Sequence, residues 1–478
     1  NAAASMVQVV VGLARSILLA RLLPVDIFGV YAMAGSIVKL SAVLPGFGMG
    51  DAFLHRAPET RDEDQAAAVW LTLKLIFGSL WGLLLALGAF RFASGQDRVA
   101  LLTITLSYYG TLLTTVPQQI LVRRVEHRRL AVLQSVDVLA SAMTAILLAW
   151  RGVELWALLS TDIMTMVLSV VLLYIWRPVW RPHLAWAPSA MRYFLRFGSR
   201  SLLAKVLLRA SDQVDDLWTG AYLGDSPLGL YSRAYAFATY PRSILAASVD
   251  KVAGGMYAEV AENRRRLSQA FFRTNAFLIR TGFFLGGLLA SIAPELIRLL
   301  LGTKWLPMLD AFRLMLVFTL LDPVRLTVAN LFVAVGRPDK IVRARAAQLA
   351  VLVAGLFALG PWLGIAGVAL AVDAMLVLGI GLLLWQARDH VDFSLWTLFA
   401  APGAAVGLGI LAARAAIMVP GVLGSPWRTG LVKSVTFAVA YGGLVVILER
   451  RQLLRMLDFV GRRFLRARDS DPSGDVQA

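Results

Sequence analysis

Runs of about twenty apolar residues follow one another along almost the whole of this chain, and each is long enough to cross a bilayer as a helix. Of its 478 residues, 58% are hydrophobic and 16% are charged, where a soluble protein carries roughly a quarter charged residues. The expected fold class is an all-α polytopic membrane protein. About fourteen transmembrane helices are placed at 5–22, 28–50, 66–89, 99–121, 131–150, 153–175, 197–222, 228–254, 268–292, 309–335, 342–361, 364–386, 394–418 and 429–448. Glycine and proline inside these runs are no objection, because neighbouring helices re-satisfy the backbone groups they free.

The basic residues set the orientation. With the N-terminus in the cytoplasm and each run crossing once, 26 of the 47 lysines and arginines fall in inside loops, 7 in outside loops and 14 within spans. That excess is the positive-inside bias, and it places both termini in the cytoplasm. A net charge of +17 would point to nucleic acid in a soluble chain; here it is mostly this bias. The absence of cysteine excludes disulfides, iron–sulfur clusters and thiolate zinc sites. His55, His127, His183 and His390 fall in loops without metal-ligand spacing. No glycine-rich phosphate loop marks an ATPase, and the outside loops are too short for a catalytic domain. The chain opens at Asn1 without an initiator methionine or signal peptide, which reads as a trimmed N-terminus, and its last ten residues are expected to be disordered.

An internal repeat organises the spans. At an offset of 200 residues Leu23 meets Leu223, Gly29 meets Gly229 and Tyr31 meets Tyr231, each copy being a short polar turn between long apolar runs. Later, Gly152 meets Gly364 at an offset of 212. Two pseudo-symmetric six-helix lobes around a central cavity are expected, at 1–175 and 197–386, with two extra helices at 387–449 and a basic cytoplasmic tail at 450–478. Transporters are commonly built from such repeats, with substrate bound where they meet. The connecting stretch 176–196 mixes Trp176, Trp180 and Trp186 with arginines; it reads either as a segment lying on the membrane surface or as a plain linker.

Charges inside the membrane are costly and usually face a cavity or a partner. Fourteen bases and eight acids lie within the expected spans, and the surplus of six positive charges favours an anion. Lys205, Arg209, Asp212 and Asp216 share one face of the seventh span, and Tyr231, Tyr235 and Arg242 share one face of the eighth. Arg15 lies on the first span, Lys39 mid-way along the second and Arg280 on the ninth. Arg15, Lys39 and Arg242 are deep and have no same-helix acid at i±3 or i±4, so a role in the cavity is expected for them. Arg209 reads alternatively as an intrahelical partner of Asp212 or Asp216. Lys74, Arg233, Lys251, Arg273, Arg313, Arg414 and Lys433 lie nearer span ends and are expected to snorkel to the surface. The stripe Gln134, Asp137, Ser141 and Thr144 reads as interhelical hydrogen bonding or as an ion site.

Four segments carry a family resemblance: Leu22-Leu23-Pro24 with Phe28-Gly29-Val30-Tyr31; Tyr231-Ser232-Arg233-Ala234-Tyr235 followed by Tyr240-Pro241; Leu301-Gly302-Thr303-Lys304-Trp305; and Ala334-Val335-Gly336-Arg337-Pro338. From about residue 10 to about residue 385 the chain resembles the polysaccharide transporter family. These are Wzx-type O-antigen and exopolysaccharide flippases, in the superfamily that also holds the MATE drug exporters and the lipid II flippase. The resemblance implies a cavity lined by helices 1, 2, 7 and 8. It also implies alternating access moving undecaprenyl-pyrophosphate-linked oligosaccharide from the inner to the outer leaflet of the bacterial inner membrane. The late part of helix 8 departs from relatives, with Asp250-Lys251 and Gly254-Gly255 in place of an apolar run.

The reading is therefore a flippase and not an enzyme, without cofactor or metal. Arg15, Lys39, Lys205, Arg209, Arg242 and Arg280 are the candidate pyrophosphate cations. Tyr231, Tyr235 and Tyr240 are the candidate sugar-stacking residues, and Asp137, Asp212 and Asp216 the candidate ion-coupling acids. Expected partners are the lipid-linked oligosaccharide, membrane lipids and polysaccharide polymerase machinery, with no nucleic acid. The competing readings are a MATE-type antiporter of organic cations, which the positive surplus disfavours, and a membrane glycosyltransferase or polymerase.

Overall fold

The computed structural model describes residues 2–55, 63–418 and 425–469. Helices succeed one another without any strand among the described residues. The first eight are α1 (Ala2–Leu22), α2 (Val25–Ser41), α3 (Val43–Gly46), α4 (Met49–His55), α5 (Glu63–Phe92), α6 (Gly95–Arg123), α7 (His127–Trp150) and α8 (Glu154–Val170). After the connecting stretch come α9 (Pro188–Leu223), α10 (Asp225–Glu259), α11 (Arg264–Leu300), α12 (Leu309–Ala334), α13 (Asp339–Ala387), α14 (Leu395–Ala416) and α15 (Pro426–Asp469).

Ten helices among the described residues are long and apolar enough to cross a membrane, and the protein is a multi-pass membrane protein. α9 and α10 fall outside that ten, as their charged centres dictate. α13 runs for 49 residues and is broken at Gly364, whose φ of +56° suits glycine. At 1.5 Å per residue it is roughly twice the thickness of a bilayer core, so it covers two of the expected intervals.

Packing divides the helices into two lobes. α1 packs on α7, α5 on α6, α6 on α8 and α7 on α8; in the other lobe α12 is central, packed on α10, α11 and α13, with α9 against α13. The lobes meet where α2 lies along α9 and α10. α14 and α15 pack on each other and on α11.

The repeat motif forms the tightest part of the seam. A Cβ built on Gly29 would lie 1.9 Å from the Asp225 carbonyl oxygen, and one built on Gly229 would lie 2.1 Å from the Val25 carbonyl oxygen. Residues 25 and 29 thus meet 229 and 225 reciprocally, as a two-fold relation between lobes requires. The turn after α11 locks the same end. Buried Trp305 donates from its indole to Ala20 O at 2.9 Å and meets Phe28 edge-on at 5.4 Å. Lys304 donates to Leu23 O at 2.6 Å, and Arg21 donates to Leu300 O at 2.7 Å. At the opposite end α4 meets α9: Lys205 pairs with Asp51 at 2.6 Å, and Tyr193 donates to Ala52 O at 3.2 Å.

The connecting stretch is strapped across α5. Trp180 is buried and donates to Asp64 at 2.5 Å, and Thr72 both donates to Ala185 O and accepts from Ala185 N. Trp176 and Trp186 remain exposed. The side chains of Asp250 and Lys251, and the last residues of the polar C-terminus, lie outside the described ones.

Candidate functional site

A polar cavity of about 320 Å³ opens where α2, α6 and α8 converge. α2 contributes Tyr31, Gly35 and Lys39; α6 contributes Ser107, Tyr108, Thr111, Thr115 and Gln118; α8 contributes Asp162, Thr165 and Ser169. Each set repeats at three or four residues, so one face of each helix supplies it. Pro117 interrupts α6 beside this wall. A proline leaves the carbonyl four residues earlier without its donor, and the Tyr174 hydroxyl fills that place on Leu113 O at 2.9 Å. Tyr31 donates to Asp162 at 2.8 Å. A side branch of about 120 Å³ continues past Gln118 and Thr165 to Gln134 and Asp137, where Thr165 donates to Asp137 at 2.9 Å.

Across the seam the second lobe holds a charged cluster round a space of about 30 Å³, lined by Asp212, Asp215, Tyr235, Arg242, Asp322, Arg325, Arg345 and Gln348 among others. Asp322 is fully buried. Arg242 approaches one of its oxygens at 2.6 Å and Arg325 the other at 2.5 Å. α12 therefore presents α10 with a carboxylate that is already neutralised from its own helix. Ser36 of α2 donates to Asp216 of α9 at 3.0 Å, tying the cluster's helix to the wall of the first cavity.

The candidate cations divide into two groups. Arg15, Lys39 and Arg209 form no ion pair among the described residues. The charges of Arg15 and Lys39 act on Asp162, and that of Arg209 acts both on Tyr108 in the first lobe and on Asp212 in the second. The other three are already held: Lys205 by Asp51, Arg242 by Asp322 and Arg280 by Glu449. Arg280 lines neither space. It forks onto Glu449, with Nη2 to Oε1 at 2.7 Å, and Tyr441 donates to its carbonyl at 2.8 Å. Its place is the α11–α15 seam, where Glu449 of α15 holds it.

The tyrosines divide as well. Tyr231 is buried with its hydroxyl on Asp215 at 2.5 Å. Tyr235 lines the second-lobe cluster, edge-on to Phe318 at 5.7 Å, and Tyr240 is half-buried beside Phe237. The suggested Arg209 pair with Asp212 or Asp216 does not form. Lys74 and Lys433, expected to snorkel, are buried: Lys433 pairs with Glu295 at 2.7 Å, and Lys74 turns into α6. Tyr31, Asp162, Asp322, Arg325 and Arg345 belong to the site and were not among the candidates. The spacing of Asp322 and Arg325 at i, i+3 was the legible signal for that pair.

Two lobes of membrane helices, one holding a polar cavity and the other a charged cluster, form a two-lobe transporter fold. Solved structures with this fold include the lipid II flippase MurJ in an inward closed conformation. Its TM-score is 0.75 at 16% identity, and the match covers 94% of this chain and 98% of that one. An inward-facing multidrug resistance MATE family transporter of the MOP superfamily gives a TM-score of 0.62 at 17% identity, covering 80% and 94%. The family follows from sequence. Residues 18–310 match the model of the polysaccharide biosynthesis protein family, and the chain belongs to it. Among its relatives are the succinoglycan biosynthesis transport protein ExoT of Rhizobium meliloti (strain 1021), 26% identical over 60% of this chain and 58% of that protein. The lipopolysaccharide biosynthesis protein WzxC of Escherichia coli (strain K12) is 22% identical over 71% and 69%. The matched region thus spans less than two thirds of ExoT.

Proposed function

We propose that the protein is a flippase for undecaprenyl-pyrophosphate-linked oligosaccharide, working by alternating access in the bacterial inner membrane with both termini in the cytoplasm. The observation that carries this reading is the set Arg15, Lys39 and Arg209: three cations that form no ion pair among the described residues, near a polar cavity on the first-lobe side of the seam. An anion is the missing partner, and pyrophosphate fits the charge. The sugars take the hydroxyl- and amide-lined cavity, Tyr235 and Tyr240 lie across the seam in the second lobe, and the polyprenyl tail stays in lipid. Transport, surface polysaccharide synthesis and lipid II flipping in the names of its relatives and structural neighbour point the same way. No catalytic step is assigned.

With this orientation the Gly29–Gly229 crossing and the Arg21 and Lys304 contacts seal the outer end, and loading from the inner leaflet parts the Lys205–Asp51 and Tyr193–Ala52 contacts at the other. Arg242 leaves Asp322 for the pyrophosphate as the substrate settles, and Arg325 keeps Asp322 neutralised. Asp137, Asp212 and Asp216 remain the candidate acids for ion coupling. Polymer export restored in a flippase-deficient strain tests the reading. Arg15→Ala, Lys39→Ala and Arg209→Ala are expected to abolish export while the protein still reaches the membrane; normal export by all three contradicts it. Purified protein that moves organic cations and no lipid-linked sugar supports the antiporter reading instead.

A further inference from the structure

Lys74 lies three turns into α5 and is only 3% exposed. Its ammonium donates to Leu112 O at 2.9 Å and to the Thr115 hydroxyl, and stands 4.6 Å from the centre of the Trp70 ring. Among the described residues it has no carboxylate partner. Carbonyl, hydroxyl and ring face offset part of the cost of burying an ammonium, but neutral groups do not cancel its charge. Holding a lone charge in a low-dielectric interior is expensive; a buried amine without a counter-ion tends to shed its proton, and an anion held nearby is what keeps it charged.

Leu112 and Thr115 are both wall residues of the polar cavity. The ammonium therefore stands directly behind that wall. A buried charge is poorly screened by salt, and its field is concentrated across low-dielectric material into the adjoining polar space. Thr115 transmits no hydrogen bond of its own, because its hydroxyl accepts from Lys74 and donates to Leu112 O at 2.6 Å. Lys74 acts on the cavity by charge alone.

We infer that Lys74 is the fixed counter-charge of a diphosphate group held in this cavity. It is a positioning residue that makes the site prefer diphosphate-linked over monophosphate-linked lipids. The inference rests on the flippase reading and deepens it. Lys39, exposed at the cavity, meets the anion directly, while Lys74 is locked in place and biases where the anion comes to rest. A second phosphate adds charge, so the uncancelled ammonium favours the diphosphate more.

A purely structural Lys74 would serve as a donor to Leu112 O and the Thr115 hydroxyl, and glutamine supplies such a donor without charge. Binding of undecaprenyl pyrophosphate and undecaprenyl monophosphate to the full-length protein in lipid nanodiscs separates the two roles. Lys74→Gln is expected to weaken the diphosphate lipid about tenfold and the monophosphate lipid several-fold less, whereas Lys74→Arg keeps the preference. Lys74→Met keeps the length of the side chain without charge or donor, and it is expected to erase the preference as well. An unchanged affinity ratio in Lys74→Gln, or in Lys74→Met should the glutamine variant not fold, contradicts the inference alone. Wild-type protein that binds neither lipid contradicts the flippase reading and takes the inference with it.

Discussion

Gly29 and Gly229, related by the internal repeat, face each other across the lobe seam, each pressed against the backbone that precedes the other. No side chain fits at either position, since a Cβ on one would strike Asp225 O and on the other Val25 O. Overpacking of this kind costs about 1–3 kcal/mol. Gly29→Ala and Gly229→Ala are each expected to push the seam open and bias the lobes away from the closed arrangement. The measurement is polymer export together with inter-lobe distance from spin labels, the chain being free of native cysteine. Export at wild-type level with unchanged distances would show that the crossing is no gate.

Asp322 is shared by Arg242 and Arg325, and the two arginines are not equivalent. Arg242→Ala leaves Asp322 paired with Arg325, so the variant is expected to fold normally and lose export. Asp322→Asn strands two arginines at once, and removing one partner of a buried pair costs about 3–5 kcal/mol. Thermal unfolding in detergent should show a large loss for Asp322→Asn and little for Arg242→Ala. Equal losses would place Arg242 in the scaffold.

Arg280 and Glu449 fasten α15 to α11 away from the cavity. Glu449→Gln and Arg280→Lys are expected to lower the melting temperature, the lysine because it cannot reproduce the fork. Affinity for undecaprenyl pyrophosphate should stay within about twofold of wild type. A loss of affinity without loss of stability would return Arg280 to the binding site.

Much of this architecture was legible from residue order. The alternation of apolar runs gave the helices, and the repeat carrying Gly29 and Gly229 pointed to two lobes; that both glycines sit at a backbone crossing shows only in the structure. Pairings between distant helices were not legible. Glu449 lies one residue past the expected end of its span, so Arg280 had no visible partner. Arg345 lies in the first turn of the expected 342–361 span, where it counted as an inside-loop charge; α13 starts at Asp339 and carries it to the charged cluster. Lys74 reads as a snorkelling residue when its helix is taken to begin at 66. What sends it inward is the pair of acceptors on α6, Leu112 O and the Thr115 hydroxyl, and acceptors on one helix leave no trace in the sequence of another.

Flipping of a fluorescent undecaprenyl-pyrophosphate oligosaccharide in proteoliposomes, with no pH or sodium gradient, tests the central claim most directly. The headgroup carries roughly two negative charges, and each is worth about 2.3 kcal/mol per 100 mV across the full field. Wild-type protein is expected to move the lipid outward faster when the inside is made negative and slower when the potential is reversed, and Lys39→Ala is expected to move none. A wild-type rate no greater than that of empty liposomes, at either sign of the potential and with ion gradients restored, would contradict the account.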